Sequence, residues 1–165
     1  MRPLGGFAAD LNAVVSNLDA VLATTEAAGA PQHQEAQQRV QTIGGVGPLV
    51  GLSLTTTLER VPFRKANAFG AFIGLDPRTH DSGPTAGHRR LSKRGPAESR
   101  RLLFNAAMSA IKTTGWKPLD ESYRTHDWST TAALVILARK IARAVGSIHH
   151  YRTTFNPARI TQSLT

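Results

Sequence analysis

Residues 7–28 set Phe7, Leu11, Val14, Val15, Leu18, Val21 and Leu22 three and four positions apart, the apolar stripe of an amphipathic helix. Gly29-Ala30-Pro31 stops it, because glycine suits a C-cap and proline cannot continue the ladder. A glutamine-rich helix with few apolar positions is predicted over 32–42. The run Ile43-Gly44-Gly45-Val46-Gly47-Pro48 then turns the chain into a third helix, with a break at Pro62 and a short helix or turn through 65–72. Residues 76–97 are nearly all turn formers and basic side chains, punctuated by Gly83, Pro84, Gly87, Gly95 and Pro96. A loop that long inside a compact domain is usually functional or disordered. Helix returns over 97–113, with Leu102, Leu103, Ala106, Ala107, Ala110 and Ile111 on one face, and a short helix is expected near 120–124. The strongest pattern is the last, 131–150, where Ala133, Leu134, Ile136, Leu137, Ile141, Ala144, Val145 and Ile148 form the stripe and Arg139, Lys140 and Arg143 lie beside it. Periodicity is weak after Tyr151, so the tail is expected to fray. No alternating strand stands out, and the predicted class is all-α.

The organisation read from this pattern is a helical, coiled-coil-like arm over 1–42, a domain over 43–155 and a tail over 156–165. Two helices with so short a repeat serve as a helical hairpin, or as a packing or dimerisation arm. A chain of 165 residues with 41% hydrophobic and 19% charged residues has material for one core and too much of it for a disordered chain. The absence of cysteine excludes disulfides, thiolate zinc sites and cysteine catalysis. No apolar run approaches a membrane span, and no signal-peptide pattern follows Arg2. The expectation is a cytoplasmic, nucleoid-associated protein with no membrane partner.

Charge changes the picture. The formal net charge is +9, from 20 Lys and Arg against 11 Asp and Glu. Residues 1–59 hold two cations (Arg2, Arg39) and five acids, and residues 60–165 hold 18 cations and six acids, so the halves carry −3 and +12. Such asymmetry points to a structural first segment and a second that meets a polyanion, most commonly nucleic acid. Residues 78–101 alone carry Arg78, Arg89, Arg90, Lys93, Arg94, Arg100 and Arg101. Guanidinium forks bind phosphate oxygens bidentately and stabilise charge on a phosphoryl group in transfer. A serine among them is a candidate nucleophile; the plainer reading of the residues is a solvated basic loop that merely neutralises a nucleic-acid backbone. The glycine turn also reads two ways. Gly44, Gly45 and Gly47 would let a helix-hairpin-helix backbone approach a phosphate, or would serve an ordinary αα-turn that needs positive φ.

The series Gly74-Leu75-Asp76-Pro77, then Ser82-Gly83, then Leu91-Ser92-Lys93-Arg94-Gly95, then a helix opening on paired arginines resembles the C-terminal domain of transposases of the insertion-sequence 110/116/902 group. The glycine turn at 43–48 matches the start of that domain and 138–145 its closing helix, so the resemblance covers roughly 40–155. It implies a DNA-binding transposase domain in which Ser82 attacks a DNA phosphate, while Ser92 fixes the loop or contacts phosphate. It further implies a RuvC-like domain whose carboxylates bind Mg2+, a helical segment between the two domains, which residues 7–42 resemble, homo-oligomers through the N-terminal helices, and a guide RNA. The RuvC-like domain has no counterpart in these residues, so a truncated copy that binds no cofactor itself is expected. The competing expectation is a non-catalytic DNA-binding remnant, and a purely protein-binding helical domain is disfavoured by the +12 half.

Other groups carry less. Asp76, Asp81, Asp120, Glu121 and Asp127 have no spacing that gathers them on a metal, and suit caps, turns and surface ion pairs. His80 and His88 flank Ser82 as candidate bases or phosphate contacts. His149 and His150 point about 100° apart on a helix, poor geometry for one metal. Trp116 and Trp128 read as core or lid residues.

Overall fold

A computed structural model describes residues 4–78, 90–126 and 128–161, with backbone alone at 4–7, 77–78, 90 and 160–161. The chain divides into two units, residues 1–35 and 36–165.

In the first unit, α1 (Leu4–Ala27) is followed by the start of α2 (Pro31–Gln41). Pro31 opens α2 rather than merely ending α1, since the first helical position needs no N–H and favours proline's fixed φ. The Gln34 amide reaches the carbonyls of Glu26, Ala27 and Gly29, answering acceptors that the end of α1 leaves open. The stripe of α1 is bare within this unit: Leu11, Val14, Val15, Leu18 and Val21 are each more than half exposed.

The second unit is built on α7 (Thr130–Tyr151), which packs against α3 (Pro48–Arg60), α4 (Ala68–Ile73), α5 (Ala97–Ala110) and α6 (Lys117–Thr125). Leu134, Leu137, Ile141, Val145 and Ile148 of α7 are buried among Leu54, Leu58, Phe69, Ile73, Leu103 and Ala107. Ser129 caps α7, its hydroxyl accepting from the Ala132 N–H at 3.2 Å. Ala36, Gln37 and Val40, on the last turns of α2, are also buried, which is why the unit boundary falls inside that helix.

The all-α class holds, with one small addition. Pro77–Arg78 (β1) and Arg90–Leu91 (β2) form a two-residue antiparallel ladder, pairing Pro77 with Leu91 and Arg78 with Arg90. A pair this short has no room for alternation and left no sequence signal.

The chain after Tyr151 does not fray over its described part. Arg152 takes the left-handed conformation that ends α7. The Phe155 N–H then donates to the Thr42 hydroxyl at 2.9 Å, and the Phe155 ring stacks on buried Trp116 at 5.4 Å. A final turn, α8 (Ala158–Thr161), contacts α6. Trp116 is therefore core, whereas Trp128 is half exposed. Among the described residues no helix is long and apolar enough to cross a membrane.

Candidate nucleic-acid interface

The basic loop stands on a base made mostly of backbone. Its foundation is the end of α4, where Gly74 closes the helix by donating its N–H to Ala71 O at 3.1 Å. The returning strand bonds to this end: Ser92 N–H donates to Asp76 O at 3.1 Å and Lys93 N–H to Gly74 O at 3.2 Å. Gly95, at φ +114, passes so close to the Phe72 carbonyl that any Cβ would overlap it. Leu75 and Ile73 anchor the base in the core. Arg139 of α7 closes one side, its Nε donating to Asp76 Oδ1 at 2.8 Å. The β1–β2 ladder thus holds Arg78 next to Arg90.

The residues expected to meet phosphate are distributed unevenly around this base. Ser82 and Arg89, with His80, His88 and Asp81, lie outside the described residues. Arg78 and Arg90 face each other across the ladder in register. Lys93 and Arg94 are exposed, and Lys93 takes a positive φ of 50° to bring the strand back.

Arg100 and Arg101, read from sequence as one basic pair, do different things. Arg100 Nη1 donates to the carbonyls of Ile73 at 3.0 Å and Gly95 at 2.9 Å, so its charge ties the base to the start of α5. Arg101 forks onto Glu98, with Nε to Oε2 at 2.9 Å. That hydrogen bond holds the Glu98 carboxyl below its ordinary range and Arg101 above its own. Glu98 is also the anion that offsets two cations in the first turns of α5. Arg100→Ala removes two charge-assisted bonds, of which the one to Ile73 is part-buried, and is expected to cost about 2 kcal/mol in urea unfolding. Arg101→Ala removes an exposed pair that solvent screens and should leave the urea midpoint close to the parent's. Equal costs would contradict the division.

The glycine turn, between α2 and α3, packs against the last turn of α5 and Thr113 rather than against the start of that helix. A Cβ on Gly44 would meet the Thr113 hydroxyl at 2.8 Å, and one on Gly45, at φ +93, would meet Ala106 O at 2.5 Å. Gly45 therefore admits the close approach of α5, and Gly44 that of Thr113 just beyond it. Gly47, the residue before Pro48 and α3, has nothing within 4 Å of its Cβ position.

Among the carboxylates proposed and rejected as a metal cluster, Asp76 pairs with Arg139 and Asp120 with Arg124 at 2.7 Å, while Asp127 lies outside the described residues. No three His, Asp or Glu among the described residues are placed to hold a metal ion. Sequence reasoning gave Arg139 and Arg143 no role. Their spacing of four on a polar helix edge with no acid nearby was the available signal.

A helical domain with a basic loop pinned to the end of one helix is what the fold and this base define. The chain belongs to the transposase IS116/IS110/IS902 family, whose model matches residues 37–124. It is 40% identical over 76 residues to the transposase for insertion sequence element IS1111A of Coxiella burnetii, a match covering 46% of this chain and 21% of that protein. It is 26% identical over 125 residues to a probable family 20 transposase of Pseudomonas aeruginosa, covering 73% and 37%. The transposase for insertion sequence element IS1328 of Yersinia enterocolitica is 28% identical over 131 residues, covering 74% and 38%. The matches span less than half the length of these curated relatives.

Proposed function

We propose that this chain is the DNA-handling part of a transposase and that Ser82 is its nucleophile. The observation that carries the reading is the loop base in a chain of this family: a ladder, two backbone hydrogen bonds and two arginines hold the ends of the segment that contains Ser82. Rigid support is what a nucleophile on a loop needs to be presented at one position. In the step itself the Ser82 Oγ–phosphorus bond forms as a bond from phosphorus to a deoxyribose oxygen breaks. The serine proton passes to solvent water as Oγ attacks, and the departing deoxyribose oxygen takes up a proton from water. Arg78, Arg89, Arg90, Lys93 and Arg94 hold the phosphate and offset charge that gathers on its oxygens. Gly47, at the open start of α3, is where the glycine turn would admit a neighbouring phosphate.

The described residues do not fit the Mg2+ implied by the family resemblance, so no step is assigned to it. The covalent step is tested by a trap. The chain is mixed with labelled DNA carrying an element junction, magnesium, and a full-length relative whose own nucleophilic serine is replaced. A denaturant-resistant adduct on this chain is expected. A mixed assembly confirmed to contain the chain but yielding no adduct would favour a DNA-binding protein without chemistry.

The arm has its own assignment, a helix-to-helix contact with a second copy. Leu11, Val14, Leu18 and Val21 follow the alternating three-and-four spacing of a coiled-coil seam, and all are exposed within the first unit. Leu11→Glu/Leu18→Glu should turn a dimer into a monomer in sedimentation while leaving helix content nearly unchanged. An unaltered association state would remove α1 from the interface.

A further inference from the structure

We infer that the seam between α4 and α7 is a track for a DNA phosphodiester backbone, leading to the base of the basic loop; this deepens, and rests on, the reading of the chain as DNA-handling. The line can be followed contact by contact. On α7, Gly146, Arg143 and Arg139 lie above one another at spacings of three and four. Opposite them the chain rises from Ala66 to Asp76. The Ala66 carbonyl rests against Gly146, Arg143 Nε donates to Asn67 Oδ1 at 3.4 Å, and Arg139 Nε donates to Asp76 Oδ1 at 2.8 Å. Arg64 and Lys65, both exposed, stand at the lower end, immediately before Ala66. Lys93 and Arg94, also exposed, stand at the upper end beside Gly74.

Six cations are thereby strung along one seam. The facing segments 64–76 and 139–146 contain a single acid, Asp76, and Arg139 occupies it. The α7 stretch from 139 to 146 rises about 10 Å, a length over which one strand of duplex DNA presents about three phosphates. Lys140 lies in the same stretch and is half-buried. Burial first, then the nearby Arg143 and Arg139, holds its ammonium below the ordinary lysine value. Like-charge crowding of this kind is relieved by an arriving polyanion.

The test is the salt dependence of binding to a labelled DNA duplex, read by fluorescence anisotropy on the full chain. The variant Arg64→Gln/Lys65→Gln/Arg143→Gln should lower the slope of log K against log salt by about two to three, at roughly 0.9 per lost phosphate contact. The control Lys112→Gln/Lys117→Gln/Arg159→Gln removes the same charge from exposed positions off the seam and should move the slope by less than about one. Circular dichroism of both variants confirms that each is folded. Wild-type binding with an unchanged seam-variant slope would overturn the track alone, as would equal losses in seam and control variants. A loss seen with an RNA duplex but not with DNA would overturn it in favour of an RNA surface. No binding of DNA by the wild-type chain would overturn both the track and the reading beneath it.

Discussion

Gly45→Val is expected to leave the second unit largely unfolded at 25 °C, with the cooperative urea transition lost. Two costs fall on the same atom. The backbone sits at φ +93, outside the range a β-branched residue tolerates, which costs roughly 1–2 kcal/mol or more. The new Cβ would also lie 2.5 Å from the Ala106 carbonyl oxygen and 2.6 Å from the Ala110 nitrogen. Those are backbone atoms of a buried helix face and cannot rotate away, so α5 would have to separate from the turn. Ile43 and Val46 would then lose their burial on either side of it. The sum is above about 4 kcal/mol, a large part of what a domain of this size has. Gly47→Ser gives the contrast: its site is open and precedes α3, so stability should stay within about 0.5 kcal/mol of the parent. A tolerated Gly45→Val would mean that α5 does not approach the turn as described.

Ser82→Ala is expected to abolish the covalent adduct while changing DNA affinity by less than about twofold. Removing a nucleophilic hydroxyl removes the atom that forms the new bond, and losses of at least about 10⁴-fold are usual for such groups. Affinity rests instead on cations, which the substitution leaves in place. Anisotropy at fixed salt and the denaturing-gel trap, run on the same preparation, separate the two effects. A persistent adduct would move the nucleophile elsewhere. Parallel loss of adduct and affinity would make Ser82 a structural residue of the loop.

The helices were legible because apolar side chains repeat at the period of the helix they bury, as Leu134, Leu137, Ile141, Val145 and Ile148 do on α7. The family was legible too, since its motifs are local and ordered along the chain. The sequence could also say that residues 60–165 are strongly cationic, because charge is counted rather than folded. It could not say which cation is occupied. Arg100 and Arg101 are adjacent and chemically identical, yet one grips the Ile73 and Gly95 carbonyls and the other Glu98. Arg139 and Asp76 are separated by 63 positions, and Phe155 and Thr42 by 113, so neither the loop's anchorage nor the docked tail left a local pattern. Local spacing by itself determined the helices, the charge asymmetry and the place of the loop. Only the tertiary structure decided what Gly45 packs against, what holds the loop base, and that cations from three distant segments share one seam, because those facts depend on atoms brought together across the chain.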